Sequence, residues 1–175
     1  MKPVLSVFFI AITLCSFSQT DTSRLVSYVN SAYKIEYPAS WTIDTSKKMG
    51  SEFFLLSPVE NAGDKFRENV NLIVQNLSGK GIDMDKYVEI SEDQIKNMGV
   101  NGQINESKRI ENSGSGYHKM VFVMSQGVFN LKVEQYYFIE KEKAYIITFT
   151  AESDKFDAYK TAGEKILNSF VLKSQ

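Results

Sequence analysis

Hydrophobic and polar positions alternate along several short stretches of the chain, and this period of two is typical of β-strands. The pattern predicts strands over residues 33–37, 41–44, 52–57, 69–77, 103–111, 117–125, 129–139 and 144–151. Proline and glycine residues mark turns between several of these strands. In the last two strands the apolar side chains occupy the odd positions, so the even face of the strand over 129–139 is expected to be partly exposed.

The hydrophobic period changes to that of an amphipathic α-helix in two places. The first helix is predicted over residues 83–98, with these apolar residues on one face: Met84, Tyr87, Val88, Ile95 and Met98. Asp83 is a favourable N-cap residue for it. The second helix is predicted over residues 155–170. Strands joined by short turns and interrupted by two helices predict an α+β fold, in which an antiparallel meander sheet packs with two main helices.

The N-terminus has the features of a secretory signal peptide. Lys2 is followed by an uncharged, largely apolar run over residues 4–17, and the small residues Ser16 and Ser18 favour cleavage after Ser18. A retained anchor is less favoured, because the run is shorter than the ~20 residues of a membrane-spanning helix. A lipoprotein anchored through Cys15 is also less favoured, because Leu14 before it is not small. The expected organisation is a signal peptide over 1–18, a polar lead-in over 19–31 and a single domain over 32–175.

Three segments, in order along the chain, resemble the PsbP-like domain family, which includes the Mog-type proteins. They are Tyr33-Lys-Ile-Glu-Tyr37-Pro38 with Trp41, Phe66-Arg-Glu followed by Asn69-Val-Asn-Leu-Ile-Val, and Tyr159 with Ile166 and Ser169-Phe170. The resemblance implies an antiparallel sheet between helices. Members of the family bind other proteins, and the better-known members are not general enzymes, so the resemblance implies a non-catalytic binding protein.

Composition narrows the possible chemistry. The chain has 175 residues with 20 basic and 21 acidic side chains, a balance that argues against a nucleic-acid-binding protein. A single Cys excludes a disulfide framework and a cysteine metal cluster within the chain, and a single His makes a histidine-based zinc site unfavourable. We therefore expect no cofactor and no metal centre.

Few residues are candidates for a functional site. His118 is the single imidazole, but the chain has no Gly-x-Ser-x-Gly motif, so we expect a structural histidine and no catalytic residue. Glu60 and Asp64 lie on a polar loop that could bind a cation weakly. Tyr136 shares its strand face with Lys132 and Glu134, and its expected exposure makes it a candidate contact residue.

These observations predict a non-catalytic, exported accessory protein of the bacterial cell envelope, periplasmic or extracellular, which recognises another envelope protein. No transmembrane helix is expected after signal cleavage. The alternative is a binder of a small apolar ligand, held in a pocket between sheet and helix that soft side chains such as Met98, Met120 and Met124 would line. A hydrolase that depends on His118 is less favoured than either.

Overall fold

The computed structural model describes residues 24–97, 101–111 and 116–173 of the chain. The predicted signal peptide and Cys15 lie outside these ranges, as does Met98. Within the ranges the chain forms ten strands, two α-helices and a short 3-10 turn at Lys48–Gly50. Neither of the two helices is long and apolar enough to cross a membrane.

The predicted strands and helices follow each other in the predicted order, and two further strands lie at the two ends of the domain. The strands of the first half are β1 Leu25–Val29, β2 Tyr33–Pro38, β3 Thr42–Asp44, β4 Ser51–Leu56 and β5 Asn69–Asn76. Helix α1 spans Met84–Asn97. The second half comprises β6 Gln103–Ile110, β7 Tyr117–Gln126, β8 Phe129–Glu140, β9 Lys143–Glu152, helix α2 Phe156–Asn168 and β10 Val171–Leu172.

Seven of the strands form one antiparallel sheet in the order β3-β4-β5-β9-β8-β7-β6. Two runs of consecutive strands, β3 to β5 and β6 to β9, meet where β5 pairs with β9, with Val70 opposite Phe149. The predicted antiparallel sheet with two main helices is confirmed. The remaining strands β1, β2 and β10 form a separate three-stranded antiparallel sheet.

Part of the expected polar lead-in is a strand. Residues 25–29 form β1 and pair with β2, so that Val26 lies opposite Tyr37 and Tyr28 opposite Ile35. Val26 and Tyr28 are partly buried against the core. The lead-in interpretation is therefore wrong for this segment, because Val26 and Tyr28 lie on the same face of the strand and pack there against the core.

The seven-stranded sheet lies between two hydrophobic layers. Alternate residues of β9 separate them: Ile147 and Phe149 belong to the layer formed with α2 and the small sheet, whereas Ile146 belongs to the layer under α1. Asp83 caps α1 as predicted, because its Oδ1 accepts a hydrogen bond from the backbone N–H of Lys86 at 2.9 Å. The large sheet is thus covered on both faces.

Candidate functional site

A cleft of about 260 Å³ lies between α1 and the seven-stranded sheet. We call it the α1 cleft and define it by the residues that line it: Ile73, Gln75, Tyr87, Ser91, Gln94, Ile95, Phe122, Met124, Gln135, Tyr137 and Ile146. They come from one helix and from four neighbouring strands, β5, β9, β8 and β7. The α1 cleft is thus built on regular secondary structure and not on loops.

Helix geometry explains why α1 leaves room here. Tyr87, Ser91 and Ile95 are spaced four residues apart, so they lie along one side of the helix and face the sheet together. Tyr87 and Ile95 are buried, but Ser91 between them is small. Its hydroxyl donates back to the carbonyl oxygen of Tyr87 at 2.8 Å. A short side chain between two long ones leaves space above the sheet.

The polar groups of the α1 cleft are arranged in two hydrogen-bonded sets. The Tyr87 hydroxyl donates to Oε1 of Gln75 at 2.8 Å. The Tyr137 hydroxyl donates to Oε1 of Gln135, and Nε2 of Gln135 donates to Thr148 at 3.1 Å. Burial raises the pKa of Tyr87 to about 12 and raises the pKa of Tyr137 as well. Both phenols therefore remain protonated donors at physiological pH.

The predicted pocket between sheet and helix can now be compared with the α1 cleft. Met124 lines the cleft. Met120 is fully buried beneath it, with its sulfur 3.8 Å from the Tyr137 hydroxyl. Met98 lies outside the described residues. The glutamines of the cleft were not identified from the sequence, and Tyr87 and Tyr137 were predicted only as positions on the apolar face of a helix and of a strand.

Ser107, His118 and Glu92 form a polar chain that joins the edge of the sheet to α1. Ser107 Oγ lies 2.6 Å from Glu92 Oε1 and 2.8 Å from His118 Nε2. A hydroxyl has one proton, and the carboxylate is the stronger acceptor, so Ser107 donates to Glu92 and accepts from the histidine. In a catalytic triad the serine donates to histidine and the acid orients the other ring nitrogen. The order found here does not activate the serine.

Lys155 occupies the centre of the loop that was considered for a cation. Its ammonium lies 3.0 Å from Glu60 and 3.1 Å from Glu152, with Asp64 at 3.9 Å. Hydrogen bonds from Tyr159, at 2.7 Å, and from Lys155 lower the pKa of the Glu60 carboxyl. Glu60 and Asp64 thus both face a lysine ammonium. The described residues contain no group of three or more His, Cys, Asp or Glu side chains placed to hold a metal ion.

The expected exposure of Tyr136 is wrong. Its side chain is 3% exposed and stacks on Tyr117, with the two ring centroids 4.4 Å apart. Neighbouring Glu134 is also buried and pairs with Lys119 at 2.9 Å. The even face of β8 lies in the layer covered by α2 and the small sheet, and a charged pair within that layer imitates a solvent-facing pattern in the sequence. Tyr136 is therefore a core residue and not a surface contact.

No family model and no curated protein matches the sequence. The fold, in contrast, is similar to solved structures. Cyanobacterial PsbP (CyanoP) from Synechocystis superposes with a TM-score of 0.62 at 15% identity, over 85% of this chain and 92% of that chain. PA94 from Pseudomonas aeruginosa, a protein of unknown function, gives a TM-score of 0.62 at 12% identity, covering 86% of this chain and 99% of that one.

A third similar structure is LpqN of Mycobacterium tuberculosis, which is described as involved in cell envelope biogenesis. It superposes with a TM-score of 0.60 at 13% identity, over 86% of this chain and 91% of that chain. Identities this low carry information about the fold alone. The chain has a PsbP-like fold, as the resemblance in its sequence predicted.

Proposed function

We propose that this chain, with its PsbP-like fold, is a non-catalytic accessory protein that is exported to a bacterial cell envelope and binds a small apolar ligand in the α1 cleft. The observation that carries the proposal is the lining of that cleft, which is mostly apolar with a few convergent hydrogen-bonding groups. Binding sites for small molecules have this composition. The expected signal peptide and the likeness to LpqN support the envelope as its location.

The size of the α1 cleft favours a small ligand or one end of a longer molecule. Its volume of about 260 Å³ is slightly below the range of roughly 300–1,000 Å³ found for ligand sites. Soft and aromatic side chains such as Met124 and Tyr137 can adapt to an apolar shape. Tyr87 and Gln75 at one side provide groups that fix its orientation.

Native mass spectrometry of the protein from its own host's envelope fraction tests the proposal. The wild-type chain is expected to carry a non-covalent mass that Ser91→Phe lacks, because the phenyl ring would fill the α1 cleft. Ser91→Ala is the matched control, since it leaves the space open and should keep the ligand. A chain of bare mass in all three proteins, with both variants folded, would contradict ligand binding.

A second candidate function is recognition of another envelope protein, and the exposed side of the small sheet favours it. Leu25, Val29 and Val171 are 43%, 50% and 55% exposed, although large hydrophobic side chains are usually buried. Val29 and Val171 flank Lys34 in neighbouring strands. Three apolar side chains on one side of a small sheet form a surface that a protein partner could cover.

Cross-linking in intact cells distinguishes this second function. A specific adduct should be lost in Val171→Lys and kept in Val128→Lys, which places the same charge on an exposed valine in the β7–β8 turn. The identified partner must then bind the purified wild-type chain but not Val171→Lys. Equal binding of both variants would exclude the small sheet as the contact surface.

The hydrolase alternative receives no support from the polar chain at the sheet edge. The serine there donates to Glu92, and His118 donates to the serine, so neither side chain is poised as nucleophile or base. His118→Ala is accordingly expected to leave ligand and partner binding unchanged. A loss of an esterase or peptidase activity in that variant would reverse this conclusion.

A further inference from the structure

The α1 cleft is lined without charge. Each of the eleven described residues that line it has either an apolar side chain or a neutral amide, hydroxyl or phenol. The two phenols stay neutral at physiological pH, because burial raises the pKa of both. A ligand in the cleft therefore meets dipoles and apolar surface but no counter-ion.

Several charged side chains of α1 that are next to cleft-lining residues in the sequence are paired with other groups. Glu92 accepts from Ser107 at 2.6 Å and also pairs with Lys96 at 3.2 Å. Lys86 pairs with Glu89 at 2.8 Å on the solvent side of α1. An ion in the cleft would have to compete with these partners for compensation. Because an uncompensated ion loses its hydration on burial, the cleft penalises both an anionic and a cationic ligand.

The hydrogen-bonding groups of the cleft favour an oxygen-containing ligand. The Tyr87 hydroxyl uses the carbonyl oxygen of Gln75, which leaves the Nε2 amide of Gln75 as a donor. Within the described part of the chain, no hydrogen bond uses that Nε2. Gln94 adds a second amide to the same lining. A hydroxyl or carbonyl oxygen is the group that accepts from such amides without carrying a charge.

We infer that the α1 cleft selects an uncharged amphipathic molecule, with an apolar chain or ring and a hydroxyl or carbonyl oxygen that accepts from Gln75. The inference rests on the proposed function of the cleft and adds the class of ligand. The apolar part would lie against Ile73, Phe122 and Ile146, and the oxygen would lie beside the Gln75–Tyr87 pair. Fatty acids and alkyl amines are excluded as preferred ligands.

Three probes of equal chain length test the charge selectivity directly. 1-Octanol, octanoate and octylammonium are titrated at pH 7 into the protein without its predicted signal peptide. The amide and methyl chemical shifts of Ile73 and Met124 are followed by NMR. We expect 1-octanol to bind at least about tenfold more tightly than either ion. Ser91→Phe should abolish binding of all three. Gln75→Leu should weaken binding of 1-octanol and leave unchanged the binding of octane, which is added as a control without a polar group.

The outcomes distinguish a failure of the neutral-ligand inference from a failure of the proposed function. Tighter binding of octanoate or octylammonium would overturn the neutral-ligand inference and leave the α1 cleft as a binding site. Shift changes confined to residues outside the cleft, or none with any probe, would contradict the proposed function itself. Should Ser91→Phe fail to fold, Gln94→Phe introduces the same ring one turn along α1 and repeats the test.

Discussion

Helices α1 and α2 cover opposite faces of one sheet, but they approach it at different depths. On the α2 side, a Cβ atom on Gly163 would lie 2.6 Å from the ring of Phe149, so this helix packs as closely as a glycine permits. On the α1 side, Ser91 stands between Tyr87 and Ile95 and the α1 cleft remains. The same sheet therefore has one close-packed face and one face with space for a ligand.

The difference shows how local sequence decides between core and cleft. A glycine in the middle of a helix costs about 1 kcal/mol in helix propensity relative to alanine. Gly163 offsets that cost by allowing Phe149 and Phe156 to pack fully, both nearly unexposed. Helix α1 has no glycine in Met84–Asn97 and carries polar residues towards the sheet. Helix α2 thus packs closely against the sheet through Gly163, whereas α1 directs hydrogen-bonding groups towards it.

The largest expected change in the free energy of unfolding comes from truncating one phenylalanine on each face of the sheet. Phe149→Ala should lower the free energy of unfolding by about 3–5 kcal/mol, because it opens a cavity in a closed core. Phe122→Ala, which borders the α1 cleft, should cost at least about 1 kcal/mol less, since water can already reach the space. Urea unfolding curves measure both. Equal losses would mean that the α1 face is packed as tightly as the other.

A smaller effect comes from adding atoms instead of removing them. Gly163→Ala adds one carbon against the Phe149 ring and should cost about 1–3 kcal/mol through overpacking, despite the better helix propensity of alanine. Ser91→Phe adds a whole ring to α1 and should stay within about 1 kcal/mol of wild type, because the α1 cleft accepts it. Thermal unfolding of the two variants compares them. A greater loss for Ser91→Phe would remove the distinction between the faces.

Much of the architecture was predictable, because it depends on local periodicity. The strands between residues 33 and 152 and both helices were predicted from the spacing of apolar residues, and the PsbP-like fold from three short segments, whereas the two-residue strand β10 was not predicted. The β1 strand was missed because its five residues, LVSYV, show no alternation of apolar and polar positions, and its pairing with β2 is not a local property.

The candidate site was harder to predict than the fold. A pocket between sheet and helix was expected, and Met124 lines it, but the residues that line it come from α1 and from four strands that are far apart in the sequence. The predicted exposure of Tyr136 was wrong for a different reason. Its charged neighbour Glu134 suggested a solvent face, whereas Lys119 from the adjacent strand compensates that charge inside the protein. Long-range pairing decides such positions, and a period of two does not encode it.

The polar contacts that each helix makes with neighbouring elements give a third test. Lys155, at the start of α2, contacts Glu60, Glu152 and Asp64, and the Asp64 side chain is fully buried. Lys155→Met should cost about 1–2 kcal/mol, because it leaves these carboxylates without compensation. Lys160→Met is the matched control on an exposed side of α2 and should change stability by less than about 0.5 kcal/mol.

Chemical denaturation at low and high salt measures this pair of variants. Urea is the suitable denaturant because it adds no ionic strength of its own. The difference between Lys155→Met and Lys160→Met should shrink as salt screens the remaining carboxylates. A salt-independent difference would indicate that the Lys155 chain contributes by packing its methylene groups and not by its charge.

The smallest effect is expected where α1 contacts the polar chain of Glu92, Ser107 and His118. Burial lowers the pKa of His118 below its usual 6.5, Glu92 and Asp85 oppose this shift, and Arg109 adds to it. The unfolded chain then binds the proton more readily than the folded one, so stability falls as pH drops from about 6.5 towards the lowered value and is constant above it. The loss should be smaller than the effects predicted above, because the His118 side chain is only partly buried.

His118→Gln should remove this step, because an amide can donate to Ser107 but does not titrate in this range. Urea midpoints between about pH 5.5 and 8 reveal the step in wild type and its absence in the variant, and Ser107→Ala should retain the step because the imidazole remains buried. If wild type instead gained stability on acidification, His118 would be better paired with Glu92 than the geometry indicates. Helix α1 would then be stabilised by an ion pair, as α2 is by the ion pairs of Lys155. The two helices would no longer differ in the kind of contact that stabilises them.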